Sequence, residues 1–161
     1  MPGMSLTRFK EAQDVAPGGF ATALAELRAG GKRSHWIWYV FPQLAGLGRS
    51  STARFYGLRD AAEARAYLAD PLLRTRLEAV TAAVAAQLER GVTLTELMGG
   101  RTDALKVVSS LTLFSVVVCA ESQPDAALGE FAGLCDRVLA RANAQGFPRC
   151  PLTLAQLGDS G

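Results

Sequence analysis

Between Gly30 and Ser51 the chain reads GGKRSHWIWYVFPQLAGLGRSS, and most of its unusual chemistry is gathered there. The window holds the only histidine, His35, both tryptophans, Trp36 and Trp38, and also Tyr39 and Phe41. Lys32 and Arg33 precede the aromatic run, and Arg49 follows it. Cations beside flat rings suit an anionic group carried on an apolar or planar body. Ammonium and guanidinium groups hold carboxylate or phosphate, and an exposed ring offers a stacking surface. Ser34 is placed to cap a helix that follows it, whose free N–H groups and positive dipole end would add directional donors. Lys32, Arg33, Ser34 and His35 then read as an anion trap, with a solvated basic turn as the plainer alternative.

Adjacent aromatics point different ways in a helix or a strand, so Trp36, Trp38, Tyr39 and Phe41 cannot all share one buried face. Core packing is the plain reading for Phe41 and for one tryptophan. Whichever of Trp36, Trp38 or Tyr39 stays outside becomes the stacking platform. The loop Gly46-Leu47-Gly48-Arg49-Ser50-Ser51 could bring backbone N–H groups to an anion, with Arg49 and Ser50 beside it. It lacks the Gly-Lys-Ser/Thr of a P-loop and the dinucleotide fingerprint, so no cofactor is implied.

A second polar stripe lies far along the chain. Asp103, Lys106 and Ser110 are spaced three and four apart on an otherwise apolar segment, which puts them on one helix face. That face is either a solvent edge or the wall of a cleft in which Lys106 and Ser110 meet the aromatic segment. In the second case Lys32, Arg33, Arg49 and Lys106 would hold an anion, and Gln43 and Ser110 would orient it. His35 is the one candidate proton carrier, but spacing ties no carboxylate to it, and the serines lack a nucleophile-elbow context. No reaction class follows.

These residues need elements to position them. A helix is expected from Leu6 to Gln13 with Ser5 as its cap, broken by Pro17-Gly18-Gly19, and another from Phe20 to Ala29. Residues 35–41 fit either a strand or a short helix ending before Pro42. A loop over 43–49 and one or two helical turns over 51–56 follow. Asp60 caps a helix through Leu68. Asp70-Pro71 opens a long one to about Arg90. Thr93 with Glu96 makes a capping box for a short helix ending at Gly99-Gly100. Thr102 or Asp103 starts the most apolar helix, to about Ala120, and Pro124 opens the next. Leu152, Leu154 and Leu157 of the tail are expected to dock on the core. Period-two runs are scarce. The expected fold is all-α, one domain over residues 1–161 with six to eight helices.

Composition bounds the function. At 161 residues, 49% hydrophobic and 20% charged, the chain is long enough for a real core. No uninterrupted apolar run reaches the ~18 residues of a membrane helix, and the first residues do not resemble a signal peptide. A cytoplasmic location and no membrane partner are expected. Cys119, Cys135 and Cys150 have no metal-type spacing, and one histidine cannot complete a set, so no metal site is expected. From Arg28 to Arg59 there are six basic residues and no acidic one, while the rest of the chain sums to −4. This asymmetry points to an anionic partner. A net charge of only +2, with acidic helices elsewhere, argues against a general nucleic-acid binder. A protein-interaction module without a small ligand, or nucleic-acid binding through the basic aromatic segment, is the alternative reading to an anionic small molecule.

Lys32 to Ser50 closely resembles a stretch of a bacterial family of uncharacterised proteins, domain-of-unknown-function family 1810 (DUF 1810). That family's pattern is K-R-S-H-W-x-W-Y-x-F-P-Q-x-x-G-L-G-x-S. The likeness continues at Ala53, Tyr56 and Gly57, at Ala64 to Leu68, and at Asp103, Lys106, Ser109, Ser110, Thr112, Leu113 and Phe114. It departs at Phe147-Pro148-Arg149-Cys150, where the family is usually more acidic. The resemblance implies a compact all-helical fold and no assigned reaction.

Overall fold

The computed structural model describes residues 6–15, 18–121 and 125–159. Among them there are ten helices and no strand: α1 (Thr7–Asp14), α2 (Phe20–Arg28), α3 (Ile37–Val40), α4 (Ser51–Phe55), α5 (Ala61–Ala69), α6 (Pro71–Glu89), α7 (Leu94–Met98), α8 (Arg101–Cys119), α9 (Ala126–Ala144) and α10 (Pro151–Asp159). The fold is all-α. Seven helices have eight or more residues, and α3, α4 and α7 are single turns of four or five. The expected cap at Ser5, the helix opening at Pro124 and the break at Pro17 lie outside the described residues.

Helix starts follow capping chemistry where a side chain can reach. Asp60 accepts from Glu63 N, Asp70 from Leu72 N and Leu73 N ahead of Pro71, and Thr93 and Glu96 form the full capping box. α9 is capped by Asp125. α8 departs from expectation: it starts at Arg101, behind Gly100, with no side-chain cap. Asp103 therefore lies inside its first turn, where a carboxylate favours the dipole and is free to pair elsewhere.

α8 is the central element. It packs on α9, α5, α7 and α10, while α6 packs on α2 and α9. By length and composition α8 could cross a bilayer, but its apolar window is 67% buried inside the fold, the distribution of a core helix. Two of its hydroxyls turn back on its own backbone, Thr112 Oγ1 to Val108 O at 2.7 Å and Ser109 Oγ to Leu105 O at 3.0 Å. A file of rings crosses the core from α1 to α9: Phe9 to Tyr67 at 5.2 Å, Tyr67 to Phe114 at 5.5 Å, and Phe114 to Phe131 at 6.4 Å between centroids. The tail differs from expectation. Thr153 is buried and Leu157 packs on the core, but Leu152 and Leu154 are exposed.

Two polar constructions fix the N-terminal half. The first is a buried ion pair. Arg8 of α1 donates to Phe55 O at 2.8 Å, to Gly57 O at 3.1 Å and to Glu63 Oε1 at 3.4 Å. Glu63 also accepts from Arg59 N at 2.9 Å. Beside it residues 43–45 run parallel to 57–58, with Ala45 N to Leu58 O at 2.7 Å and Leu58 N to Gln43 O at 2.9 Å. The approach is so close that a Cβ on Gly57 would lie 2.7 Å from Ala45 Cα.

The second is a carboxylate clamp. Glu26 of α2 accepts from Arg33 N at 2.8 Å, Ser34 N at 3.0 Å, Ser34 Oγ at 2.5 Å and Trp36 Nε1 at 2.9 Å. Burial pushes this carboxyl up, but the four hydrogen bonds outweigh burial and hold it down at about 2.

Removing one member of the buried pair leaves the other charge uncompensated. Glu63→Gln should cost about 3 kcal/mol in urea unfolding. The double variant Arg8→Met/Glu63→Leu should cost less than the sum of its singles; strict additivity would mean the pair is not coupled. For Glu26 the sign follows from the lowered folded-state value. Its stabilisation is complete above the ordinary carboxylate value of 4.5 and is lost as pH falls from there toward about 2. Glu26→Gln should lose roughly 2 kcal/mol at neutral pH. The gap from the parent should close across that acidic window, and a gap unchanged at low pH would contradict the clamp.

Candidate functional site

The clamp decides what the basic segment can bind. The expected anion trap at Lys32-Arg33-Ser34-His35 exists as a set of donors, but the chain's own Glu26 carboxylate fills it. Ser34 is not a helix cap. Trp36 stands at the N-cap position of α3, without a side-chain cap bond, and Ser34 Oγ donates to Glu26 instead. Trp36 is fully buried with its N–H on Glu26 and offers no stacking face. Tyr39 is partly buried and donates to Gly18 O at 2.5 Å. Trp38 is the aromatic of the run left partly open at a cavity.

The aromatic segment and α8 meet through one carboxylate. Asp103 Oδ2 lies 2.8 Å from Lys32 Nζ, and Asp103 Oδ1 lies 3.6 Å from Lys106 Nζ. Each lysine also lies over a tryptophan. Lys32 Nζ is 5.1 Å from the Trp36 ring centroid, and Lys106 Nζ is 5.1 Å from that of Trp38. Ring faces are electronegative, so both contacts are attractive. The Lys32 side chain is only 5% exposed and also donates to Ser34 O at 2.5 Å. It is a buried structural cation. Lys106, at 22%, faces outward with the trio's surplus positive charge.

Lys106 borders two hollows. One, about 10 Å³, lies among Ile37, Trp38, Phe41, Gln43, Ala53 and Tyr56, and is the size of a single water. The other is a cavity of about 350 Å³ between Gln43, Leu47 and Gly48 on one side, Thr102, Leu105, Lys106 and Ser109 of α8 on the second, and Cys150, Pro151 and Leu152 on the third. Its walls are mainly carbon. Lys106 is the only charged side chain in that lining. A slightly larger hollow, about 380 Å³, lies between α5, α6, α8 and α9. It contains no residue of the basic aromatic segment or of the Asp103–Lys106–Ser110 stripe, and its Arg74 is paired with Asp125 at 3.5 Å. The 350 Å³ cavity, where the two special segments meet, is the better candidate.

The other expected residues separate from this cavity. Ser110 is fully buried, and its hydroxyl has no partner; Ser109, one position earlier, lines the wall. Both lie about one turn from Lys106, and spacing alone does not choose between them. Ser50 caps α4 by accepting from Ala53 N at 3.0 Å. Arg33, His35 and Arg49 are exposed and line neither hollow. The structure thus brings together Trp38, Gln43 and Lys106 of the expected set. Among the described residues no cluster of metal-ligating side chains occurs.

Glu26, Ser109 and Cys150 are residues that sequence reasoning did not place in the site. Glu26 carried a signal, since it is the last carboxylate before the uncompensated basic run. Cys150-Pro151 also carried one. It repeats the Asp70-Pro71 pattern of a first-turn proline behind a capping position, and α10 begins at Pro151.

Among solved structures, the chain is similar to the crystal structure of the conserved hypothetical protein Rv1873 from Mycobacterium tuberculosis. The two are 38% identical with a TM-score of 0.79, over 96% of this chain and 97% of that one. No curated protein matches the chain. Residues 3–138 match the family described as protein of unknown function DUF1810, and the chain belongs to that family.

Proposed function

We propose that this protein binds a small amphipathic anion in the cavity between segment 32–50 and α8, with Lys106 holding its charged end. The observation that carries the reading is the surplus charge of the Lys32–Asp103–Lys106 trio, delivered to a carbon-walled cavity of about 350 Å³. That volume is at the small end for ligand sites, and a few fixed polar groups on apolar walls are their usual make-up. With one cation in the wall, the class is a carboxylate or phosphate monoester on an apolar body. A polyphosphate would need Arg33 and Arg49, which face elsewhere. Gln43, Thr102 and Ser109 are the hydroxyl and amide residues of the lining that would orient the ligand beside Lys106. The residues name no reaction, so the reading is of binding.

A partner protein at the same mouth is the second reading. It is favoured by Leu105 and Leu152, which line the cavity and are 43% and 64% exposed.

Thermal unfolding with octanoate, octyl phosphate, adenosine monophosphate and octanol tests the choice. A ligand at ten times its Kd adds about 1.4 kcal/mol, a rise of roughly 3–5 °C for a chain this long. Octanoate or octyl phosphate should raise the midpoint and octanol should not, and Lys106→Met should abolish the difference. An equal response to octanol, or an anion response that survives Lys106→Met, would reject the site. A nucleotide response without an octanoate response would reject the apolar body.

A further inference from the structure

We propose that Cys150 captures α,β-unsaturated carbonyl compounds that enter the 350 Å³ cavity, forming a thioether at its sulfur. Cys150 lines that cavity together with Lys106 and the aliphatic residues Leu47, Leu105 and Leu152. The inference shares the cavity with the proposed anion site but does not need the anion.

Several groups prepare the sulfur for negative charge. Leu154 N donates to Cys150 O at 3.1 Å, the first bond of α10, which places Cys150 at the cap of a nine-residue helix. Cys150 N donates to Thr112 Oγ1 at 3.2 Å and ties that cap to α8. Ser109 Oγ lies 3.2 Å from Sγ, and its proton can move from Leu105 O to the sulfur when the thiol ionises. Thr153 is fully buried, its hydroxyl has no hydrogen-bond partner, and it is turned toward the same sulfur. An unmatched buried donor is costly, and a charged sulfur would satisfy it. Burial pushes the Cys150 thiol up, but Ser109, Thr153 and the first amides of α10 outweigh it, so the net shift is downward. Thiolates, not thiols, are the nucleophiles. The other cysteines lack this setting: Cys135 is buried and pushed upward by burial, and Cys119 is exposed.

The chemistry balances without a further reactant. The thiol proton leaves to solvent, and a sulfur lone pair forms the C–S bond at the β-carbon. The C=C pair shifts onto the carbonyl oxygen, for which Lys106 is the ammonium donor in the wall. The α-carbon then takes a proton from water as the carbonyl re-forms. The sum is addition of S–H across C=C. The aliphatic walls favour a carbon electrophile over a small oxidant such as a peroxide.

The test is peptide-resolved mass spectrometry of the intact protein treated with trans-2-nonenal or, separately, iodoacetamide at neutral pH. Cys119 is the internal reference. Nonenal should add to Cys150 at least about ten-fold faster than to Cys119. Equal or faster reaction at exposed Cys119 would overturn the proposal. Thr153→Val and Ser109→Ala should slow Cys150. Leu152→Ser, at an exposed position, leaves the core intact and should slow nonenal more than iodoacetamide. Equal slowing of both reagents, or none, would also overturn it. Adduct formation without anion binding removes only the reading of the previous subsection. Anion binding with an inert Cys150 removes only this one.

Discussion

An ammonium buried against an indole needs a counter-charge, and Asp103 supplies it. Lys32 is almost wholly enclosed; without a partner it would carry a desolvation penalty of several kcal/mol. The same carboxylate reaches Lys106 from its other oxygen, so it joins the aromatic segment to α8 and sets the charge of the cavity between them. Two cations on one anion leave one charge over, and burial decides which lysine presents it. The absence of a cap on α8 belongs to this arrangement. Beginning the helix at Arg101 places Asp103 in the first turn, where the helix dipole supports the carboxylate while its oxygens face the lysines.

Glu26 serves the same segment a few residues away. The segment from Arg28 to Arg59 has no acidic residue, so the carboxylates that meet it come from either side, Glu26 just before it and Glu63 and Asp103 after it. Asp103 balances charge, whereas Glu26 folds the backbone. Glu26 takes two main-chain N–H groups and two side-chain donors and thereby fixes where Trp36 enters the core. A basic, donor-rich motif thus reads in sequence like a ligand site and proves in large part to be the receptor for an internal carboxylate. What remains for an external molecule is narrower: Lys106, with Trp38 beneath it and Gln43 beside it.

This division marks what was legible in the sequence. The helices and most of their starts were readable because caps and periodicity are local: Asp60, Asp70-Pro71 and the Thr93–Glu96 box act within four residues of themselves. The meeting of segment 32–50 with α8 was also within reach, since polar residues on an apolar helix need a reason. Partner choice was not. Whether Ser34 caps α3 or donates to Glu26 depends on how α2 packs, which no spacing rule encodes. The choice of Ser109 over Ser110 turns on a helix phase of about 100°, finer than an i,i+3 or i,i+4 argument resolves. The tail failed for a similar reason. Its leucines look like core residues, but Thr153 faces inward, leaving Leu152 and Leu154 outside.

The exposed leucines and the buried threonine are two sides of one helix phase. With Thr153 turned to the core, α10 points its first amides and the Thr153 hydroxyl at Cys150 and lays Leu152 along the cavity rim. The opposite phase would bury Leu152 and remove both the apolar rim and the hydroxyl from the sulfur. Phe147 and Arg149 hold the phase in place. Phe147 is buried beneath the Arg101 guanidinium at 4.9 Å, and Arg149 pairs with Asp136 of α9 at 2.9 Å. These anchors lie beyond the residues matched to the family, 3–138, whereas Trp38, Gln43 and Lys106 lie within them. Two of the cavity's walls therefore lie within residues 3–138, and the third, with its thiol, follows them. Variation in that third wall would change what the cavity accepts without disturbing the Lys32–Asp103–Lys106 trio that charges it.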